Sequence, residues 1–269
     1  MKTIPLFTFI YEDQHIIAVN KAAGIAVSGD RWDDSQIRLD RIVSESISPP
    51  MQLFRVHRID RDTSGLVVFA KHSDSHAILS RFFENRQIQK RYIAVVNGRP
   101  LWKEAECDLP LVPDGNKKHM TIIDKYRGKN SFTRFRLLLS AGTFSVLEAL
   151  PETGRTHQIR VHAAALGFPV VCDSMYGNSK PVLLSSFKRG WRGNPLEEKP
   201  LLSRLGLHAA ELQIPAGIFP GTDNAADADA VSENGLAALP DNSPFTEGLK
   251  LCAPLAKDMA ALIKQMEKL

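Results

Sequence analysis

Residues 57–71 read HRIDRDTSGLVVFAK, and this stretch decides how the chain folds around its polar residues. Residues 66–70 are an apolar run of the length a buried strand needs, and Gly65 permits a turn into it. The residues ahead of the run then sit on a loop at a strand's end. Asp60 stands there among Arg55, Arg58 and Arg61, whose charge should hold its carboxylate ionised. An ionised carboxylate is a poor general acid but a usable nucleophile or base. The same arginines suit a polyanion, whose phosphates they grip with bidentate hydrogen bonds. An Arg/Asp network that only pins a turn is the plainer reading of such a loop in isolation, so the rest of the chain must decide.

Outward from that loop, the 269 residues are enough for a substantial core, and 43% hydrophobic with 24% charged residues is ordinary for a soluble globular protein. No apolar run approaches a membrane span, and the first residues lack a signal peptide's apolar centre, so a cytoplasmic protein with no membrane partner is expected. Cys107, Cys172 and Cys252 show no metal-ligand spacing, and no metal site is expected. The net charge of +4 hides an asymmetry: residues 221–247 hold six acids and no Lys or Arg, which leaves +10 on the remainder. That balance favours a polyanionic partner.

Residues 15–21 read as a strand, Ser73 as the cap of a helix ending near Asn85, and 92–96 as another strand. Residues 132–139 and 144–150 read as antiparallel strands joined through Gly142. After them Thr156 is placed to cap a helix on which Ile159, His162, Ala163 and Leu166 share a face, with Gly167 and Pro169 as its stop. Arg155 then projects from that helix's amino end and Arg160 from its body, each available for charge pairing or a phosphate. Met259, Leu262, Ile263 and Met266 keep helical spacing near the end of the chain. The pattern is a single α+β domain over residues 1–269, with hairpins and no βαβ repeat, carrying a flexible acidic insertion at 221–247.

Competing chemistries are weaker. Asp60 and Asp62 would face one side of an extended chain and suggest glycoside hydrolysis or a magnesium site, which the flanking arginines oppose. His72 and His76 lack a third ligand motif, and Ser64 lacks the glycine pattern of a nucleophile elbow. No glycine-rich phosphate loop is present, so no nucleotide cofactor is implied.

Taken together the motifs resemble the RluA-type pseudouridine synthases. Val19-Asn20-Lys21 resembles that family's opening motif, and His57-Arg58-Ile59-Asp60 with Thr63-Ser64-Gly65 its catalytic one, with Ile59 where Leu is usual. Lys90-Arg91-Tyr92-Ile93-Ala94-Val95 and Thr153-Gly154-Arg155-Thr156-His157-Gln158-Ile159-Arg160-Val161-His162 resemble the third and fourth, and Leu207-His208-Ala209 a later element. The resemblance implies a mixed, mainly antiparallel central sheet with flanking helices and an active-site cleft across it. It also implies a cofactor-free isomerase that turns uridine in RNA into pseudouridine by base flipping, N1–C1′ cleavage and C5–C1′ rejoining. Asp60 would be the essential carboxylate, with attack at C1′, attack at C6 and removal of a sugar proton all open. Arg155 would pair with Asp60, and Tyr92 would stack on the uracil. Arg58 would fill the space of the flipped base, with His57, Arg61, Lys21, Arg91 and Arg160 as further RNA-binding or structural positions.

The expected partner is structured RNA, 23S rRNA or tRNA or both, held by a monomer without the small RNA-binding domain many relatives carry ahead of the opening motif. Asp108-Leu109-Pro110-Leu111 and Asn116-Lys117-Lys118-His119 resemble compact members acting on those RNAs. Two departures, Cys172-Asp173 in place of Gly-Asp and Lys21-Ala22 in place of Lys-Pro, are expected to lie away from the chemistry. The alternative function is an inactive RNA-binding protein of the same fold; a glycosidase ranks behind it.

Overall fold

The computed structural model describes residues 5–29, 37–219 and 248–269. The segment 221–247, expected to be an insertion, lies outside the described residues. In chain order the elements are β1 (Phe7–Glu12), β2 (Ile16–Lys21), α1 (Leu39–Glu45), β3 (Phe54–Arg55), β4 (Ser64–Ala70), α2 (Ser73–Glu84), β5 (Gln89–Asn97) and β6 (Glu104–Asp108). They continue with β7 (Leu111–Val112), β8 (Ile122–Ile123), β9 (Phe132–Ala141), β10 (Phe144–Pro151), α3 (Gln158–Ala165), β11 (Leu207–Pro215), β12 (Gly248–Cys252) and α4 (Lys257–Met266). The architecture is the mixed, mainly antiparallel sheet with few helices that the sequence led one to expect.

Among the described residues ten strands form one sheet in the order β1-β2-β4-β11-β5-β10-β9-β6, with β3 added beside β4 and β12 beside β11. Two halves meet at β4 and β11, the parallel pair, which touch through His208–Ser64 and Ala209–Gly65 before they part. Beyond the contact, β3 pairs with the far end of β4 and β12 with the far end of β11. The joint is close-packed backbone: a Cβ on Gly65 would lie 2.2 Å from the Ala209 carbonyl oxygen, and Gly65 has φ +115°. Gly65 therefore serves inside β4 to admit a neighbouring strand, not in a turn before it.

Every residue of β4 is buried, as expected of a strand covered on both faces. Alternate residues serve two cores. Leu66, Val68 and Ala70 pack with Ile16, Ala18 and the α2 residue Leu79, while Val67 and Phe69 pack with Ile17, Val19 and the α1 residues Leu39 and Val43. In the other half, Ile93 and Val95 meet Met259, Leu262, Ile263 and Met266 of α4, and Ala94 and Val96 meet Ile159 and Ala163 of α3. The joint is reinforced beneath by buried His208. Its Nε2 faces the Ala253 carbonyl at 3.2 Å and so donates, which leaves Nδ1 to accept from the Ser64 hydroxyl at 2.9 Å. Arg204 donates to the same hydroxyl and forks onto Asp258 of α4.

The two expected caps fall differently. Ser73 is the first residue of α2, whose cap is His72, and α3 is capped by His157 in the left-handed conformation rather than by Thr156; neither cap supplies a side-chain hydrogen bond. The approach to α3 is held instead by buried Gln158, whose Oε1 accepts from the Arg155 N–H and the Thr153 hydroxyl while its Nε2 donates to the Phe132 carbonyl and Thr133 Oγ1. Gly65→Ala should force β4 from β11 and lower unfolding stability by about 3 kcal/mol or more, measurable by urea titration.

Candidate active site

Asp60 begins a turn, closed by a 3.1 Å bond from the Thr63 N–H to its carbonyl. The turn, in place of an extended chain, separates the two carboxylates: Asp60 enters one cavity and Asp62 another. The cavity at Asp60 is a cleft of about 350 Å³, lined by His57, Arg58, Asp60, Thr63, Tyr92, Arg155, His157 and neighbours from the end of α2. That volume suits one nucleoside-sized group and excludes a duplex. The sequence-expected trio Asp60, Tyr92 and Arg155 thus share one cleft, together with Arg58 and His57.

The expected pairing of Arg155 with Asp60 is not what forms. Among the described residues, the ion partner of Asp60 is Arg160, Nη1 to Oδ2 at 3.7 Å, with side chains 5% and 17% exposed respectively. Arg155 instead donates its Nε to the Asn130 carbonyl at 3.2 Å. Arg160 follows because α3 starts after residue 157: its side chain then points inward, where Asp173 grips it twice, at 2.7 and 2.8 Å. Asp173 is itself fixed by the Met175 and Tyr176 N–H groups, and the guanidinium lies over the Tyr176 ring at 5.0 Å. Burial opposes charge on both partners, but their mutual hydrogen bonds and attraction prevail: Asp173 is held below the usual carboxylate range and Arg160 above the usual guanidinium. A buried, bidentately held arginine is not available to a phosphate, so the expectation of an RNA contact at Arg160 is corrected.

The departure Cys172-Asp173 therefore touches the site after all, through Arg160. Cys172 has φ +58°, a conformation that glycine adopts freely and a side chain at a cost of about 1 kcal/mol. The other departure, Ala22, offers only its backbone carbonyl, to Lys21. Lys21, 1% exposed, donates its three protons to the carbonyls of Ala22, Ile25 and Arg61 at 2.8–2.9 Å, tying the opening motif to the turn after Asp60. Burial pushes its ammonium down to about 7, against the pull of Asp62 and Asp60. Lys21 is thus a structural clasp rather than a phosphate contact.

Three further expected positions are also engaged. Arg61 donates its Nε to the Gly24 carbonyl, and Arg55 bonds Ser28, so neither pairs with Asp60. Arg91, one residue before Tyr92 on β5, points to the other face, where Glu148 holds it at 2.5 Å and Glu211 lies at 3.9 Å. His57 stacks on Phe83 with ring centroids 4.8 Å apart, and its Nε2 accepts the Val68 N–H at 2.9 Å, satisfying β4 where β3 has ended. Burial, then nearby Lys90, pushes His57 down to about 3, so it is a neutral wall of the cleft and no cationic RNA contact.

Tyr92 is half-buried, and burial with the nearby charge of Asp60 raises its phenol well above the ordinary value, so it stays protonated. Three cleft residues lay outside the sequence-derived set. Burial, against the pull of the nearby Asp60 charge, lowers the His157 imidazole, and its Nδ1 meets the Tyr176 hydroxyl at 2.8 Å. Thr63 Oγ1 is buried without a hydrogen-bond partner among the described residues. Lys90 donates to the Thr153 carbonyl at 3.2 Å, and burial with Arg86 and Arg155 lowers its ammonium to about 8. The signal for Lys90 was its place two residues before Tyr92 in the same motif, which in a strand shares the face of Tyr92 and separates it from Arg91.

A model of the RNA pseudouridylate synthase family matches residues 15–165. The ribosomal large subunit pseudouridine synthase D of Zymomonas mobilis is 35% identical over 84% of this chain and 69% of its own length. The dual-specificity RNA pseudouridine synthase RluA of Vibrio cholerae is 34% identical over 77% of each chain. The solved structure of human RNA pseudouridylate synthase domain containing 4 superposes with a TM-score of 0.66 over 96% of this chain and 92% of that one, at 19% identity, which speaks for the fold.

Unfolded histidine takes up a proton near pH 6.5, whereas His57 in the fold stays neutral to about 3. Its contribution to stability is complete above pH 6.5 and is lost as pH falls from there toward 3, at up to about 1.4 kcal/mol per pH unit. Urea unfolding between pH 7 and pH 5 is expected to show this loss, and His57→Gln to shallow it.

Proposed function

The chain belongs to the RNA pseudouridylate synthase family, and we propose that it isomerises uridine to pseudouridine in 23S ribosomal RNA, tRNA or both. The observation that carries the proposal is that Asp60, ion-paired to buried Arg160, shares with Tyr92 a cleft sized for one nucleoside. The names of the Zymomonas and Vibrio relatives motivate the choice of RNA.

A uridine in folded RNA must leave its stack before C1′ or C5 can be reached. Arg58, exposed at the cleft, is placed to stack where the base was. The isomerisation breaks N1–C1′, turns the uracil and forms C5–C1′; the proton lost from C5 balances the one gained at N1. No atom is added, and the proposal calls for no cofactor. Asp60 acts on the target by attack at C1′, attack at C6 or removal of a sugar proton. In each route the carboxylate must be aimed, and Arg160, locked by Asp173, aims it. Tyr92 supplies a neutral ring beneath the uracil. Arg155 and Lys90 offer charge to the phosphates on either side, Lys90 only below about pH 8.

Asp60→Ala is expected to abolish pseudouridine formation in cellular rRNA and tRNA when it is the only copy, read by pseudouridine mapping of both RNA pools. Persistence of every mapped site would exclude the assignment, and release of free uracil would indicate hydrolysis instead. Arg160→Met should lower kcat about 100-fold by freeing Asp60, whereas Arg155→Met should act chiefly on KM. Equal effects of the two variants on kcat would contradict the pairing.

A further inference from the structure

The segment 111–131, made of the β7–β8 hairpin and the turn that follows β8, carries five cations, Lys117 and Lys118 in the hairpin loop and Lys125, Arg127 and Lys129 in or beside the turn, against two carboxylates, Asp114 and Asp124. Both carboxylates are occupied locally. Asp114 lies 3.3 Å from His119, and Asp124 accepts the Tyr126 and Arg127 N–H groups and the Arg127 Nε at 2.8–3.0 Å. Those bonds hold Asp124 below the usual carboxylate range and preform the turn. In this turn, which lies at the Pro110 end of β7 and not on the β7–β8 loop, Tyr126 is 98% exposed. Among the large hydrophobic side chains exposed in the described residues, it alone has a cation on both sides. An aromatic face displayed on a rigid turn between cations matches a polyanion that also carries π-faces.

The segment is rooted in the cleft wall at two points. The Thr121 N–H donates to the Tyr176 hydroxyl at 2.8 Å, and that hydroxyl meets His157 Nδ1. On the other arm the Asn130 carbonyl receives the Arg155 Nε. His157 and Arg155 both line the cleft. Tyr126 is four residues from Asn130, a reach of at most about 14 Å, so the turn stands within a few nucleotides of any base held over Asp60.

We propose that the turn at 124–128 is a second RNA-binding element, on which Tyr126 stacks against an unpaired base flanking the target while Lys125 and Lys129 meet the adjoining phosphates. The proposal rests on RNA being the substrate and adds where the strand runs outside the cleft. It also assigns the turn a part in choosing the substrate, since stacking needs an unpaired neighbour.

The test measures binding of the Asp60→Asn protein to in vitro-transcribed 23S rRNA and to bulk tRNA by filter retention, with no turnover required. Adding Tyr126→Ala should weaken binding to at least one of these RNAs by about 5- to 100-fold. Tyr126→Trp should restore it, and thermal melting should not move because the side chain touches nothing. Lys125→Gln should reduce the slope of log affinity against log salt by about 0.7 to 1. Unchanged affinity of Tyr126→Ala for both RNAs, or equal loss with Trp and Ala, overturns the proposal. Pseudouridine formation by the wild-type chain on the same RNAs is scored separately. If the wild-type chain forms none while Tyr126→Ala still weakens binding, the enzymatic assignment falls and the binding surface stands.

Discussion

The contact between Gly65 and Ala209 governs the molecule. It is where an antiparallel half built on β2 and β4 meets one built on β11, β5 and β10, and the backbones approach too closely for any side chain larger than hydrogen at residue 65. The turn bearing Asp60 immediately precedes this joint, and Tyr92 stands opposite Ala209 in the register of β11 with β5. One close approach therefore brings together a carboxylate from the first half of the sheet and an aromatic ring from the second. His208, Ser64 and Arg204 then tie the joint to α4, so that the last helix of the chain supports the turn although it lies far from it in sequence.

Around the joint, positive charge divides into two classes with different physics. Lys21, Arg91 and Arg160 are buried or half-buried and fully engaged by carbonyls or carboxylates. Removing such a partner strands a desolvated group, so they serve to hold geometry. Arg58, Arg86, Lys90 and Arg155 line the open cleft, and the segment 111–131 extends that charge outward. These keep hydrogen-bonding capacity for a ligand. The chain's basic balance thus comes from two sets of residues, one engaged with internal partners and one lining the cleft or the surface.

Much of this organisation was legible beforehand. The apolar run after Gly65 is a strand covered on both faces, the stripe of Met259, Leu262, Ile263 and Met266 is a helix packed on the sheet, and the hairpin through Gly142 has the expected strands. Those features depend on neighbours close in sequence and on burial, which hydrophobic periodicity reports directly. The ordered motifs likewise marked Asp60 and Tyr92, which share one cleft. The caps of α2 and α3 were less legible, because Ser73 and Thr156 have the right chemistry but the helices begin one residue away from where that chemistry would place them, after His72 and His157.

The sequence by itself determined the family and the class of fold and singled out Asp60 as the candidate carboxylate, because each is written in local pattern and in motifs that stand in fixed order. Only the tertiary structure decided which arginine meets Asp60, which cations are buried, and that Asp60 and Asp62 diverge. Those outcomes depend on where a helix begins and on which side of a turn a side chain emerges. A one-residue difference in either moves a charge from solvent to the interior, and no composition or spacing records it.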